Sequence, residues 1–228
     1  VTTLADRLAS IDESIAREAR AAGRDPNEIT RIVVTKFHPV SLIEQLHELG
    51  VRAVGENRQQ ELAQKVPALS GLTDLQWHFI GQAQTNKAAS IRRVADVVHS
   101  VDRVRIADAL EKAASPDRAL LDVLVQVNLT DDPGRGGVAP IELEALAEHI
   151  QNLLSLRLRG IMAVAPLEQE PSRAFDAVAG YSARLRSIVP DATWISAGMT
   201  ADFPEAIRAG ATHLRIGTAI TGSRPDAG

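Results

Sequence analysis

The chain contains no cysteine, which excludes disulfides and metal sites built on thiolates. It has no surplus of positive charge: 25 Lys and Arg stand against 29 Asp and Glu, a formal net charge of -4. That balance argues against a broad nucleic-acid surface while leaving room for a local cationic pocket. No apolar run approaches the ~20 residues that span a bilayer. The N-terminal stretch "VTTLADRLASIDESIAREAR" carries both signs of charge and lacks the apolar block and small-residue cleavage site of a secretory signal. These absences predict a cytoplasmic protein that contacts neither membrane nor nucleic acid. There is also no low-complexity tract and no linker that would divide the chain.

What is present is ordinary for a globular chain: 228 residues, 45% hydrophobic and 24% charged, enough for one large core. Leu4, Leu8, Ile11, Ile15 and Ala19 share a helical face, and Gly23 followed by Asp25-Pro26 ends that helix. Apolar runs near 31–36, 52–55, 75–80, 95–99, 120–128, 157–163, 193–197 and 212–216 then follow. Stretches with helical spacing or composition separate most of them, at 40–49, 57–66, 84–93, 103–114, 140–153, 172–189 and 202–209. Eight strands alternating with helices predict an α/β fold with a parallel sheet. Eight repeats in somewhat under ~250 residues predict a closed (β/α)8 TIM barrel. The alternative, an open doubly wound sheet, normally carries a glycine-rich phosphate loop after its first strand. Here that position reads "TKFHP", with no glycine. The expectation is one barrel domain over 1–228, with residues 3–22 an N-terminal helix packed on the barrel.

Chemistry in such barrels sits where strands end, and those positions hold a polar set. Lys36 closes the first strand in "RIVVTKFHPV". A lysine there is a nucleophile toward aldehydes or a side chain that snorkels to water. After the seventh strand comes "SAGMTADFPEAIRAG", with Ser196, Gly198, Met199 and Thr200 ahead of a helix that Thr200 or Asp202 would cap. The free amides and dipole of a helix start favour an anion. "RIGTAITG" adds Gly217 and Thr218 after the eighth strand. Capping and turn formation explain either segment alone; both together, after strands seven and eight, favour a phosphate site. Arg215 lies within the eighth strand and needs an acceptor, either a buried carboxylate or the pyridine nitrogen of pyridoxal 5'-phosphate (PLP). PLP combines the aldehyde, the phosphate and the ring nitrogen in one molecule.

The motifs "VVTKFHP", "GENRQQE", "WHFIGQAQTNK", "HSVDR", "GIMAVAP", "SAGMTAD" and "RIGTAITG", taken in order, resemble those of the PLP homeostasis proteins of the YggS/PROSC type, relatives of the alanine racemase N-terminal domain. The resemblance runs from about residue 4 to residue 224. It implies a single-domain PLP barrel of fold type III, with Lys36 as the Schiff-base lysine. It also implies phosphate contacts from Ser196, Thr200, Gly217 and Thr218, Arg215 near the pyridine nitrogen, and Asn57 and Met199 lining the pocket together with Gly198. The implied function is to buffer or deliver PLP inside the cell, with PLP-dependent apoenzymes as partners. Two positions depart from the pattern. His38 stands where many relatives have a second lysine, and Arg135, in "TDDPGRGGV", stands where relatives often have lysine. Neither residue offers a second imine-forming amine.

Racemisation needs an acid/base group on each face of the substrate, and related alanine racemases take the second, a tyrosine, from another domain of a partner subunit. This sequence ends soon after its eighth strand, and its one tyrosine, Tyr181, shares a helical stripe with Val178, Leu185 and Ile188. A PLP holder, expected as a monomer, is therefore the first reading, and a weakly active racemase-like enzyme the second. A Schiff-base aldolase and a pure interaction module with an empty barrel mouth are the further alternatives. The remaining residues are read as structural. His78 is expected to be bonded to backbone, and Trp77 and Phe79 to fill core between barrel and helices. His47, His99, His149 and His213 lack ligand spacing, so no metal is expected. Lys87, the face from Glu13 to Arg20 and the pair Arg157 and Arg159 are read as solvated surface, and Arg135 as part of a loop able to cover the pocket.

Overall fold

The computed structural model describes residues 2–118 and 120–223. Among them eight parallel strands close into a barrel in sequence order: β1 (Thr30–Val34), β2 (Ala53–Glu56), β3 (Gln76–Phe79), β4 (Val97–Val101), β5 (Leu121–Gln126), β6 (Leu156–Met162), β7 (Trp194–Ser196) and β8 (His213–Ile216). The expected barrel is therefore found. The helices are α1 (Leu4–Ala21), α2 (Val40–Glu48), α3 (Gln59–Ala68), α4 (Ala88–Val94), α5 (Val104–Lys112), α6 (Leu143–Gln151), α7 (Pro171–Ile188), α8 (Phe203–Arg208) and the single turn α9 (Thr218–Thr221). None of the described helices is long and apolar enough to cross a membrane.

α1 starts from a capping box: Asp6 N–H donates to Thr3 Oγ1 at 3.1 Å, and Thr3 N–H donates to Asp6 Oδ2 at 2.9 Å. Leu8, Ile15 and Ala19 on its predicted face are buried, and the helix lies against α8 and α9. Two arginines lock it there. Arg7 Nε donates to Ile220 O at 2.7 Å, and Arg24 Nη1 donates to Ile207 O and Ala211 O, both at 2.8 Å. Along the same helix, Asp12 pairs with Arg31 of β1.

Residues paired across neighbouring strands face the same side of a sheet. Val33, Val54, Trp77, Phe79, Val98, Val123, Leu214 and Ile216 face outward and join one apolar cluster with the helices. Trp77 and Phe79 thus fill core between barrel and helices, as expected. The inner face is different. Ile32 is registered with Arg215, Gly55 with His78, His78 with Val97, and Ser196 with both Met162 and His213. Inside, Val97, Leu124 and Met162 form only a small apolar group with Trp194 beside it. His78, His99, Ser196, His213 and Arg215 share the interior with this group and with Ile32, all buried. At the lower end Arg157 is exposed, as expected, and bonds Asp122 at 2.5 Å and 3.0 Å, whereas Arg159 is half-buried and its guanidinium stacks 4.5 Å over Trp194.

The three interior imidazoles are held neutral by burial: His78 falls to about 3, His213 to about 4, and His99 well below the ordinary value. Unfolded histidines take up protons as pH falls through ~6.5, whereas the buried ones do not. Stability is accordingly complete above ~6.5 and is lost as pH drops toward about 4. Unfolding free energies from urea titration should fall between about pH 7 and pH 5, by about 2 kcal/mol for each such histidine; equal values would contradict their neutral burial.

Candidate functional site

The mouth of the barrel is the end where the strands finish. After β1 the chain makes a tight turn, with His38 N–H bonded to Thr35 O at 3.1 Å. Lys36 sits in this turn, half-buried. Phe37 next to it has φ 67, a left-handed conformation that costs a non-glycine residue roughly 1 kcal/mol or more. The turn is held from behind by side chains of β2 and α3. Lys65 Nζ donates to Thr35 O at 3.0 Å, Glu56 Oε1 at 2.7 Å and Glu61 Oε2 at 3.2 Å. Thr35 Oγ1 donates to Glu56 Oε1 at 2.7 Å, and Phe37 N–H donates to Glu61 Oε2 at 2.7 Å. The residues on both sides of Lys36 are thus tied to one buried group of two carboxylates and an ammonium. Burial raises Glu56 above the usual carboxylate range, and the ammonium and hydroxyl do not fully offset it. Burial also pushes Glu61 up, but the Phe37 amide and Lys65 outweigh it and hold it low.

Beside β1 in the closed barrel, β8 and then β7 carry the two loops expected to bind an anion. Gly198 has φ 94, and a Cβ there would lie 2.7 Å from Ala206 Cβ, so the loop packs on α8 only as glycine. Asp202 stands at the N-cap position of α8, but its Oδ1 accepts Met199 N–H at 2.6 Å instead of capping the helix. The amides of Thr200 and Ala201 in this loop, and of Thr218 and Ala219 at the start of α9, have no acceptor among the described residues. Thr200, Thr218 and Met199 are exposed, and Gly217 brings no side chain between the amides and Val34. Bare amides and two exposed hydroxyls, beside an Asp202 carboxylate that is tied back to Met199 N–H, form a donor set that suits a phosphate.

Arg215 lies between this region and the barrel interior. Nη1 donates to Ser196 O at 2.8 Å and Ser196 Oγ at 2.7 Å, and Nη2 donates to Ala163 O at 2.9 Å. Its protein acceptors are thus carbonyls and a hydroxyl, not the carboxylate of a buried ion pair. Burial lowers it to about 10, so it keeps its charge at neutral pH. Its Nε–H and second Nη2–H are not used by these bonds. Ser196 departs from expectation: its hydroxyl is fully buried and engaged by Arg215 and by His99 at 2.9 Å, so it does not reach the phosphate region. His78 departs too, since its partners are the side chains of His99 and Gln76 and not backbone.

Asn57 follows β2 and is half-buried. The 130–138 loop is anchored: Asn128 Nδ2 donates to Asp132 O at 2.8 Å, Val138 N–H to Gln126 O at 2.8 Å, and Arg135 lies 3.7 Å from Glu168. A Cβ on Gly136 would lie 3.5 Å from Gln82 Nε2 and 3.6 Å from Gln126 Nε2, which places the loop beside the ends of β3 and β5. Tyr181 is on α7 and lines an outer cleft of about 230 Å³ with Asn128, Thr130 and Gln169, which includes neither Lys36 nor Arg215 nor the loops after β7 and β8. The sequence reading missed the Glu56–Lys65–Glu61 group, whose only linear trace is the four-residue spacing of Glu61 and Lys65.

Comparison with known proteins follows the same lines. A family model described as "Alanine racemase, N-terminal domain" matches residues 8–225. The chain is 38% identical over 226 residues to the pyridoxal phosphate homeostasis protein of Escherichia coli strain K12, covering 97% of each. PipY of Synechococcus elongatus PCC7942, solved with PLP bound, superposes with a TM-score of 0.84 at 33% identity, over 96% of this chain and 100% of that one. Alanine racemase from Corynebacterium glutamicum shares the fold, with a TM-score of 0.72 at 18% identity over 97% of this chain and 63% of that one.

Removing the ammonium should expose the role of the buried group. Lys65→Met leaves two carboxylates facing each other without a cation and should cost about 3 kcal/mol in urea unfolding. Adding Glu56→Gln should recover part of the loss, because the two sites are coupled; strictly additive losses would show that the contacts are not cooperative.

Proposed function

The chain belongs to the alanine racemase N-terminal domain family and, within it, to the pyridoxal phosphate homeostasis proteins, and from that membership we propose that it holds PLP reversibly at its barrel mouth to buffer or deliver it. The observation that carries this reading is the convergence, at one end of the barrel, of Lys36, the unpartnered amides after β7 and β8, and the Arg215 guanidinium. Lys36 would hold the aldehyde: its amine condenses with the carbonyl, C=N replaces C=O, and water leaves. Thr200, Gly217 and Thr218 would hold the phosphate, with Gly198 shaping the loop. Asn57 and Met199 would line the ring, and Arg215 would face its nitrogen. When bound, PLP supplies an electrophilic carbon and an electron-withdrawing ring.

Two features support holding over turnover. A charged Arg215 at the ring nitrogen disfavours protonation there, which weakens the ring as an electron sink. The second acid/base group of a racemase has no counterpart in Tyr181, which lies on α7 beside Arg184 and away from Lys36. A monomer that passes PLP to apoenzymes through its open mouth belongs to the same proposal.

Protein supplied with PLP should turn yellow, and Lys36→Ala should stay colourless. Borohydride reduction followed by peptide mapping should place a pyridoxyl group on Lys36. An adduct on another side chain would overturn the site assignment. Turnover of alanine at an ordinary enzymatic rate, on the order of 10 per second, would overturn the holding role.

A further inference from the structure

The polar groups inside the barrel join into a single line. Arg215 Nη1 meets Ser196 Oγ at 2.7 Å, Ser196 Oγ meets His99 Nδ1 at 2.9 Å, His99 Nε2 meets His78 Nδ1 at 2.8 Å, and His78 Nε2 meets Gln76 Oε1 at 3.0 Å. The two imidazoles are edge to face, their centroids 5.1 Å apart. Gln76 ends the line in the cleft at the bottom of the barrel, among Asp96, Arg118 and Arg157.

Proton counting gives the line a direction. A guanidinium only donates, so Ser196 Oγ accepts from Arg215 and keeps one proton of its own. A neutral imidazole has one N–H and one bare nitrogen, and each contact holds one proton. If Ser196 donates to His99 Nδ1, then His99 carries its proton on Nε2 and donates to His78 Nδ1. His78 in turn carries Nε2–H and donates to the Gln76 carbonyl. Every contact is then satisfied. In the reverse order both His99 and Arg215 donate to Ser196, whose proton is left with no acceptor among the described residues. A buried orphan of that kind costs about 1–3 kcal/mol. The charged and titratable groups acting on the pair are His213 and Arg215, and burial keeps both imidazoles neutral.

We propose that Ser196, His99, His78 and Gln76 form a one-way hydrogen-bond relay that fixes Arg215 beneath the pocket, so that a cofactor ring meets a guanidinium of set position and donor strength. A hydroxyl that donates onward is a stronger acceptor, because bonds in a chain polarise one another. The relay residues are positioning residues and touch no cofactor. The effect on the ring rests on the PLP site proposed above; the direction of the relay does not.

The direction is read first, on ligand-free protein with 15N-labelled histidine. Long-range proton–nitrogen correlation at neutral pH should show His78 and His99 both as Nε2–H tautomers with bare Nδ1. An Nδ1–H tautomer at either overturns the relay, whether or not PLP binds. The effect on the ring is read next with two variants of His99. In His99→Gln the amide oxygen can accept from Ser196 and the amide N–H can donate to His78. In His99→Leu neither contact exists, though the volume is filled. His99→Gln should retain the visible band and the PLP affinity within about threefold, and His99→Leu should shift the band and weaken binding by about tenfold, the scale of one lost buried hydrogen bond. Equal behaviour of the two folded variants overturns the positioning role. If His99→Leu does not fold, Ser196→Ala takes its place, and an unchanged band there overturns the role equally. Failure of the parent protein itself to take up PLP would tell against the proposed function, leaving the tautomers to decide the relay.

Discussion

A guanidinium enclosed by a closed barrel keeps its charge and has little water to donate to. Its surroundings must therefore supply acceptors along directions that its planar fork fixes. Arg215 imposes that constraint on its neighbours. It draws on the carbonyl of Ala163 after β6, and on the carbonyl and hydroxyl of Ser196 on β7. One side chain of β8 thus sets the ends of the two preceding strands. Because the Ser196 hydroxyl is used in this way, the histidines beneath it inherit fixed partners, and the barrel interior is polar where most such barrels are packed with branched apolar residues.

The end of the neighbouring strand, β1, follows a different logic. Around Lys36 the backbone is strained at Phe37, and that strain is held by charge, with Lys65 shared between two carboxylates and the Thr35 carbonyl. The two halves meet through β1 and β8, where Ile32 is registered with Arg215 and Val33 with Ile216. The positions of the amine and of the guanidinium are thus fixed by one strand pair, although the side chains that hold each belong to different parts of the chain.

The barrel was legible in the sequence because its signal is repetition: each of the eight apolar runs contains or overlaps one observed strand, and inserted helices keep the order. The boundaries were less so. The stretch 84–93 reads as one helix, yet a 3-10 turn at Thr85–Lys87 precedes α4. The mouth was legible where the chemistry is local, as at Lys36 and in the loops holding Gly198 and Gly217. It was not legible where a partner comes from a distant strand. Ser196 reads as a phosphate donor from its neighbours in sequence, and only the fold shows its hydroxyl turned inward to Arg215 and His99. A trace of the interior was there to be read, since His78, His99 and His213 all fall inside apolar runs at inward positions. Ligand spacing was the wrong test for them, because His78 and His99 bond each other, Gln76 and Ser196, and His213 bonds Thr212 Oγ1.

The seam of the barrel has a bearing on how the molecule is made. Arg24 in the first repeat reaches the carbonyls of Ile207 and Ala211, 183 and 187 residues later, and β1 has β8 as one of its two neighbours. Until the last repeat has left the ribosome, α1 lacks the surface on which its apolar face rests and β1 keeps an open edge. Such long-range closure is slow and leaves a strand exposed to wrong pairing in the meantime. Until the eighth repeat is in place β1 can pair on one edge only, and Arg7 and Arg24 act as a clasp that fastens once that repeat has arrived.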